Sequence, residues 1–138
     1  MAIYKNPILE CQCISFALVG YEYIKSLNIP EIETIQVKKY VLNNDDNSYS
    51  KYHYYIEMIY QLKPNSKKIK IIIDNDWYYN YNEFKYKFKP KQITKLTNKQ
   101  IKLEISQCFM CIKQTIMITL VEHMNNIKTS IEKYGNII

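Results

Sequence analysis

The chain has 138 residues, 47% hydrophobic and 23% charged, with a formal net charge of +6. That size and balance suit a single soluble globular domain over 1–138 with an ordinary buried core. All 19 positive charges are Lys, so the bidentate grip that Arg places on guanine and phosphate is excluded. The Lys residues are spread along the chain, as on a solvated basic surface, and form no dedicated groove. The 14 Tyr and the bias towards Lys, Asn and Ile fit an AT-rich coding sequence, which weakens Tyr abundance as a sign of a binding surface.

In chain order, Met1 to Leu9 lacks the basic and apolar regions of a signal peptide. The most apolar window, Cys108 to Val121, is interrupted by Lys113 and too short to span a bilayer. A cytoplasmic protein with reduced Cys and no membrane partner is expected. Residues 8–19 alternate as a first strand, with Leu9, Cys11, Cys13 and Ser15 on one side, until Gly20 interrupts it. Tyr21 to Leu27 fits either a short helix or a continuing strand, and Pro30 ends it. Glu33 to Leu42 reads as the second strand, and Asn43 to Ser48 as a polar loop.

The clearest pattern runs from Tyr52 to Ile73. Tyr52, Tyr54, Ile56, Met58, Tyr60 and Leu62 alternate with His53, Tyr55, Glu57, Ile59 and Gln61. After Lys63-Pro64-Asn65-Ser66-Lys67, the alternation resumes at Ile69, Ile71 and Ile73. This is a hairpin with one apolar and one mixed face. Asp74-Asn75-Asp76 reads as a turn or bulge before Trp77. Phe84, Tyr86 and Phe88 alternate with Lys85, Lys87 and Lys89, which predicts a further strand with an aromatic and a cationic face. Beyond Thr97 the pattern is helical over 97–134. Thr97 and Gln100 fit a capping box, and Ile101, Ile105, Cys108, Phe109, Ile112, Ile116, Leu120, Met124, Ile127 and Ile131 form one face. A break near Thr115 or Thr119 would divide so long a helix, and Gly135 marks its end.

No catalytic signature stands out. Cys11, Cys13, Cys108 and Cys111 satisfy the donor count for tetrahedral zinc, but they lack tight Gly- or Pro-rich turns, so core cysteines and no metal or other cofactor are expected. His53 and His123 have no Cys or Ser beside them in a nucleophile motif, and two distant Gly cannot form a phosphate loop. The chain therefore reads as a non-enzymatic binding protein. Its aromatic stretch supplies the candidate partner surface: Tyr55, Ile59, Trp77, Tyr79, Tyr81, Phe84 and Tyr86. The over-apolar helix supplies a candidate oligomer interface at Phe109, Ile112, Ile116 and Leu120.

The layout of strands, polar loop, hairpin and long helix resembles the SecB-type protein-export chaperones. Cys13-Ile14-Ser15-Phe16 is similar to the Ser-Phe near the end of that family's first strand, and the helix from Thr115 to Ile127 stands where the family has its long helix. The family's Phe-Pro-Tyr-Ala-Arg-like stretch is replaced by Ile118-Thr119-Leu120-Val121-Glu122, and its acidic balance and tail are absent. The resemblance implies a homo-oligomer, tetramer or dimer, that holds unfolded polypeptide clients in protein transport. Docking to a translocation motor is not implied. The expected fold is α+β: an antiparallel sheet of about four strands within 1–90, followed by a C-terminal helical layer, SecB-like. The alternative function is a small basic nucleic-acid-binding or assembly protein of a virus or AT-rich microbe.

Overall fold

A computed structural model describes residues 12–41, 52–105 and 113–137. The loop expected at 43–48, together with Cys11, Cys108, Phe109, Cys111 and Ile112, lies outside them. The fold is α+β. Helix α1 (Gln12–Leu27) leads into β1 (Ile32–Val41), β2 (Tyr52–Tyr60), β3 (Ile69–Ile73) and β4 (Tyr78–Asn80). Helix α2 (Tyr81–Phe88), β5 (Lys91–Lys95), α3 (Asn98–Ile105) and α4 (Lys113–Tyr134) follow. The strands form one antiparallel sheet in the order β4-β3-β2-β1-β5.

The hairpin is where the alternation places it. Ile56 pairs with Ile73, Met58 with Ile71 and Tyr60 with Ile69, all facing the main core. Gln61 closes the connection by donating from Nε2 to the carbonyls of Pro64 at 3.1 Å and Ser66 at 2.8 Å. The opposite face, mixed in sequence, is also covered. Tyr40, Tyr55, Ile72, Tyr79 and Phe84 form a second, aromatic core there. Glu57 on that face is buried and meets Lys38 Nζ at 2.8 Å, which pairs its charge.

Two expected strands are helices. Of the strand assigned to 8–19, residues 8–11 lie outside the described residues and the rest belongs to α1, because from Cys13 to Val19 nearly every side chain is buried. A continuous apolar run carries no period and does not separate a buried helix from a strand. The helix ends where Asn28 takes a left-handed φ of 50°, with Pro30 just beyond. Cys13-Ile14-Ser15-Phe16, part of the SecB-type resemblance, therefore lies in a helix and not at a strand end. The second correction is Phe84–Lys89. Asn80 Oδ1 accepts from Glu83 N at 2.8 Å and starts α2, and Lys89, at φ 45°, ends it. Tyr81, Phe84 and Phe88 share one helical face, while Tyr86 points to solvent at 83% exposure.

The capping box is formed as expected: Thr97 N donates to Gln100 Oε1 at 2.8 Å, and Gln100 N to Thr97 Oγ1 at 3.2 Å. Helix α4 runs unbroken through Thr115 and Thr119 to Gly135, whose φ is 74°. Its buried stripe is Ile116, Leu120, His123, Ile127 and Ile131, so His123 takes an inward position that the sequence pattern assigns to Met124.

Helix α1 lies between the sheet and α4, and Gly20 sets how closely they approach. A Cβ built there would stand 2.9 Å from Ile56 Cδ1 and 3.5 Å from Leu120 Cδ2. Gly20→Ala should be near neutral, because better helix propensity, about 1 kcal/mol, offsets a small shift of the Ile56 methyl. Gly20→Leu should cost about 1–3 kcal/mol through overpacking. Urea unfolding of the three proteins checks this, and a Leu variant as stable as the parent would refute the packing described.

Candidate functional site

Three elements end together at one margin of the sheet. Cys13 occupies the first turn of α1, His53 the opening of β2, and Asp74 follows the last residue of β3. Asp74 is almost wholly buried, and both of its oxygens are used. Oδ1 accepts from the backbone N–H groups of Asp76 at 2.9 Å and Trp77 at 2.8 Å, and Oδ2 meets His53 Nε2 at 3.0 Å. Asp74 N also donates to the Trp77 carbonyl at 2.9 Å, so the 74–77 loop wraps the carboxylate and fixes its direction.

With Nε2 turned to Asp74, Nδ1 is the ring nitrogen left for a second partner. Cys13 lies near enough to His53 to contribute to the rise in its pKa. Burial by itself lowers the His53 pKa; the hydrogen bond to Asp74 and then the contacts with Cys13 outweigh it and raise the pKa from 6.5 to about 9. The imidazole is therefore held protonated against the Asp74 carboxylate. Tyr40 stands edge-on to His53, with ring centroids 5.5 Å apart. Burial, and next the charge of Asp74, push its phenol up to about 12, so the hydroxyl keeps its proton.

An aromatic group adjoins the cluster. Trp77 stacks on Tyr78 at 4.7 Å and 18°, and His123 stands edge-on to both, at 5.6 and 5.4 Å. Burial lowers the His123 pKa, and its Nε2 has no hydrogen-bond partner.

The residues expected from sequence to bind a partner divide differently. Tyr55, Tyr79 and Phe84 are buried in the second core, a place for packing and not for contact with a client. Ile59 and Tyr81 are partly buried, and Trp77 and Tyr86 are exposed. Ile116 and Leu120, expected at an oligomer interface, pack inside the main core of the same chain. Of the cysteines considered for zinc, Cys13 is buried in α1, and the other three lie outside the described residues. Among the described residues no group of three or more His, Cys, Asp or Glu is arranged to hold a metal ion. No helix among them is long and apolar enough to cross a membrane. The sequence reading set His53 apart from any nucleophile because it sought neighbours along the chain. The fold brings Cys13 to it from another element. The order Cys, His, Asp, each at the end of an element, was the available signal.

Comparison with protein families, with curated proteins and with solved structures found no match.

A histidine whose folded pKa is raised stabilises the fold fully below its unfolded pKa of 6.5, and that contribution is lost as pH climbs through about 9. Between pH 6 and pH 9.5 the parent should lose about 1–3 kcal/mol more stability than His53→Gln. Parallel urea-unfolding profiles for the two proteins over that window would exclude a protonated His53 held by Asp74.

Proposed function

We propose that the chain is a cysteine-nucleophile enzyme of the acyl-transfer class, acting on an ester, thioester or amide. The single observation that carries this reading is the His53 imidazole bonded to the buried Asp74 carboxylate, with Cys13 near enough to act on its charge. It is the arrangement nucleophilic catalysis requires: a nucleophile, a base and a group that orients the base. The Cys13 thiolate, paired with the protonated His53, attacks the carbonyl carbon as the C=O electron pair moves onto oxygen. Collapse of that intermediate breaks the bond to the leaving group, which takes the proton from His53. His53, now neutral, deprotonates a water that attacks the thioester carbon, and collapse releases the acid and the Cys13 thiolate beside the protonated His53. Asp74 stays ionised throughout, fixing the tautomer and balancing the imidazolium.

Iodoacetamide at substoichiometric dose, read by peptide mass spectrometry, should label Cys13 ahead of Cys11, Cys108 and Cys111. Para-nitrophenyl acetate should leave one acetyl group on Cys13. His53→Gln and Asp74→Asn should each slow the acetylation at least about tenfold. Labelling spread over all four cysteines, or Cys13 acetylated equally fast in both variants, would defeat the assignment.

A second reading, capture of an anionic polymer, is favoured at α2. Lys70 Nζ and Lys85 Nζ both stand over the Tyr81 ring, 4.6 and 4.7 Å from its centroid. Two like charges around one ring are relieved by an anion. Lys67, Lys68 and Lys70 also line a groove of about 310 Å³ that reaches Tyr81. Binding of a fluorescent single-stranded oligonucleotide should weaken steeply with salt, and should fall at least about fivefold in Lys70→Gln/Lys85→Gln. No binding at low salt would end this reading. Client holding, drawn from the SecB-type resemblance, would rest on Trp77 and Tyr86, the members of its expected set with exposed side chains.

A further inference from the structure

The candidate nucleophile site has a half-exposed indole tied to its carboxylate. Trp77 is 50% exposed, and its backbone N–H donates at 2.8 Å to Asp74, the residue that holds His53. The tie runs through the main chain, so it survives any change of the Trp77 side chain. The indole is not free to swing, since one face is stacked on Tyr78 and His123 stands edge-on to both rings. His123 in turn lies against Phe16, with centroids 6.4 Å apart, and Phe16 is one turn along α1 from Cys13. A buried chain of aromatic contacts therefore links α1 to the inner face of Trp77.

Resting on the acyl-transfer reading, we propose that Trp77 determines specificity, its exposed face being the platform for a planar, apolar group of the substrate. The substrate class is then an ester, thioester or amide with an aromatic substituent next to the scissile carbonyl. Small acyl compounds react at Cys13 without using the platform.

The test compares N-benzyl iodoacetamide with iodoacetamide at Cys13, each rate divided by that with free cysteine. In the parent the benzyl reagent should be favoured about tenfold, the size of one good aromatic contact. Trp77→Ala should remove the preference, and Trp77→Phe should retain most of it. A parallel titration of Cys13→Ala with N-benzylacetamide, read by the fluorescence of the single Trp, should saturate, while acetamide gives no change. This arm needs no reactive thiol, so it separates failure of the platform from failure of the chemistry. A preference absent from the parent, or intact in Trp77→Ala, overturns the inference, as does a flat benzylacetamide titration. Indiscriminate labelling of the four cysteines by iodoacetamide with a saturating titration overturns the acyl-transfer reading alone.

Discussion

The β2–β3 hairpin buries side chains on both of its faces, and that constraint orders the rest of the molecule. One face carries Ile56, Met58, Ile71 and Ile73, and is closed by α1 with α4 behind it. The other carries Tyr55, Ile72 and Glu57 and needs a second cover. Helix α2 supplies it by setting Phe84 against Tyr55 at 4.9 Å between rings. The chain then crosses from the β4 edge to the opposite one, where β5 pairs with β1. Strand β5 has every side chain exposed and two Lys, so it extends the sheet without adding to the core and guards the edge.

The same hairpin fixes the functional margin. His53 opens β2 and Asp74 follows β3, so their approach is a consequence of register and needs no flexible segment among the described residues. The buried carboxylate would be costly if unsatisfied. Here two backbone N–H groups and one imidazole account for it. Removing His53 would leave that charge buried with only neutral donors, while a hydrophobic pair of similar volume would avoid the desolvation altogether. A buried ion pair is thus a poor device for stability alone, and its position beside a thiol at a helix start gives it a chemical use.

The sequence carried the sheet better than it carried the site. Regular alternation with a polar connection made the hairpin legible, and the Thr97–Gln100 pair and Gly135 marked real helix boundaries. Helix α1 was hidden because burial on nearly all sides erases periodicity. Helix α2 was hidden because Phe84 and Phe88, four apart, also fit a two-residue repeat with Tyr86 between them. The cap at Asn80 with Glu83 would have settled the choice, as Thr97 with Gln100 did. The site was illegible for a different reason. Its three residues come from separate elements, far apart in the chain, so no local spacing links them.

The burial of Tyr55, Tyr79 and Phe84 also changes what the aromatic richness means. These side chains close the second core, with Tyr40, Tyr55 and Tyr79 all drawn inward by one short helix. Abundant Tyr is therefore largely structural, and the aromatic residue left to explain beside the functional margin is Trp77. It is exposed where a core residue would not be, yet braced as a core residue is. Rigidity without burial is what a recognition surface requires, since it presents contact area whose ordering cost has already been met by folding. Because its backbone is bonded to Asp74, recognition at the indole and orientation of the imidazole share one loop, and a group resting on Trp77 is held in fixed relation to His53 and Cys13.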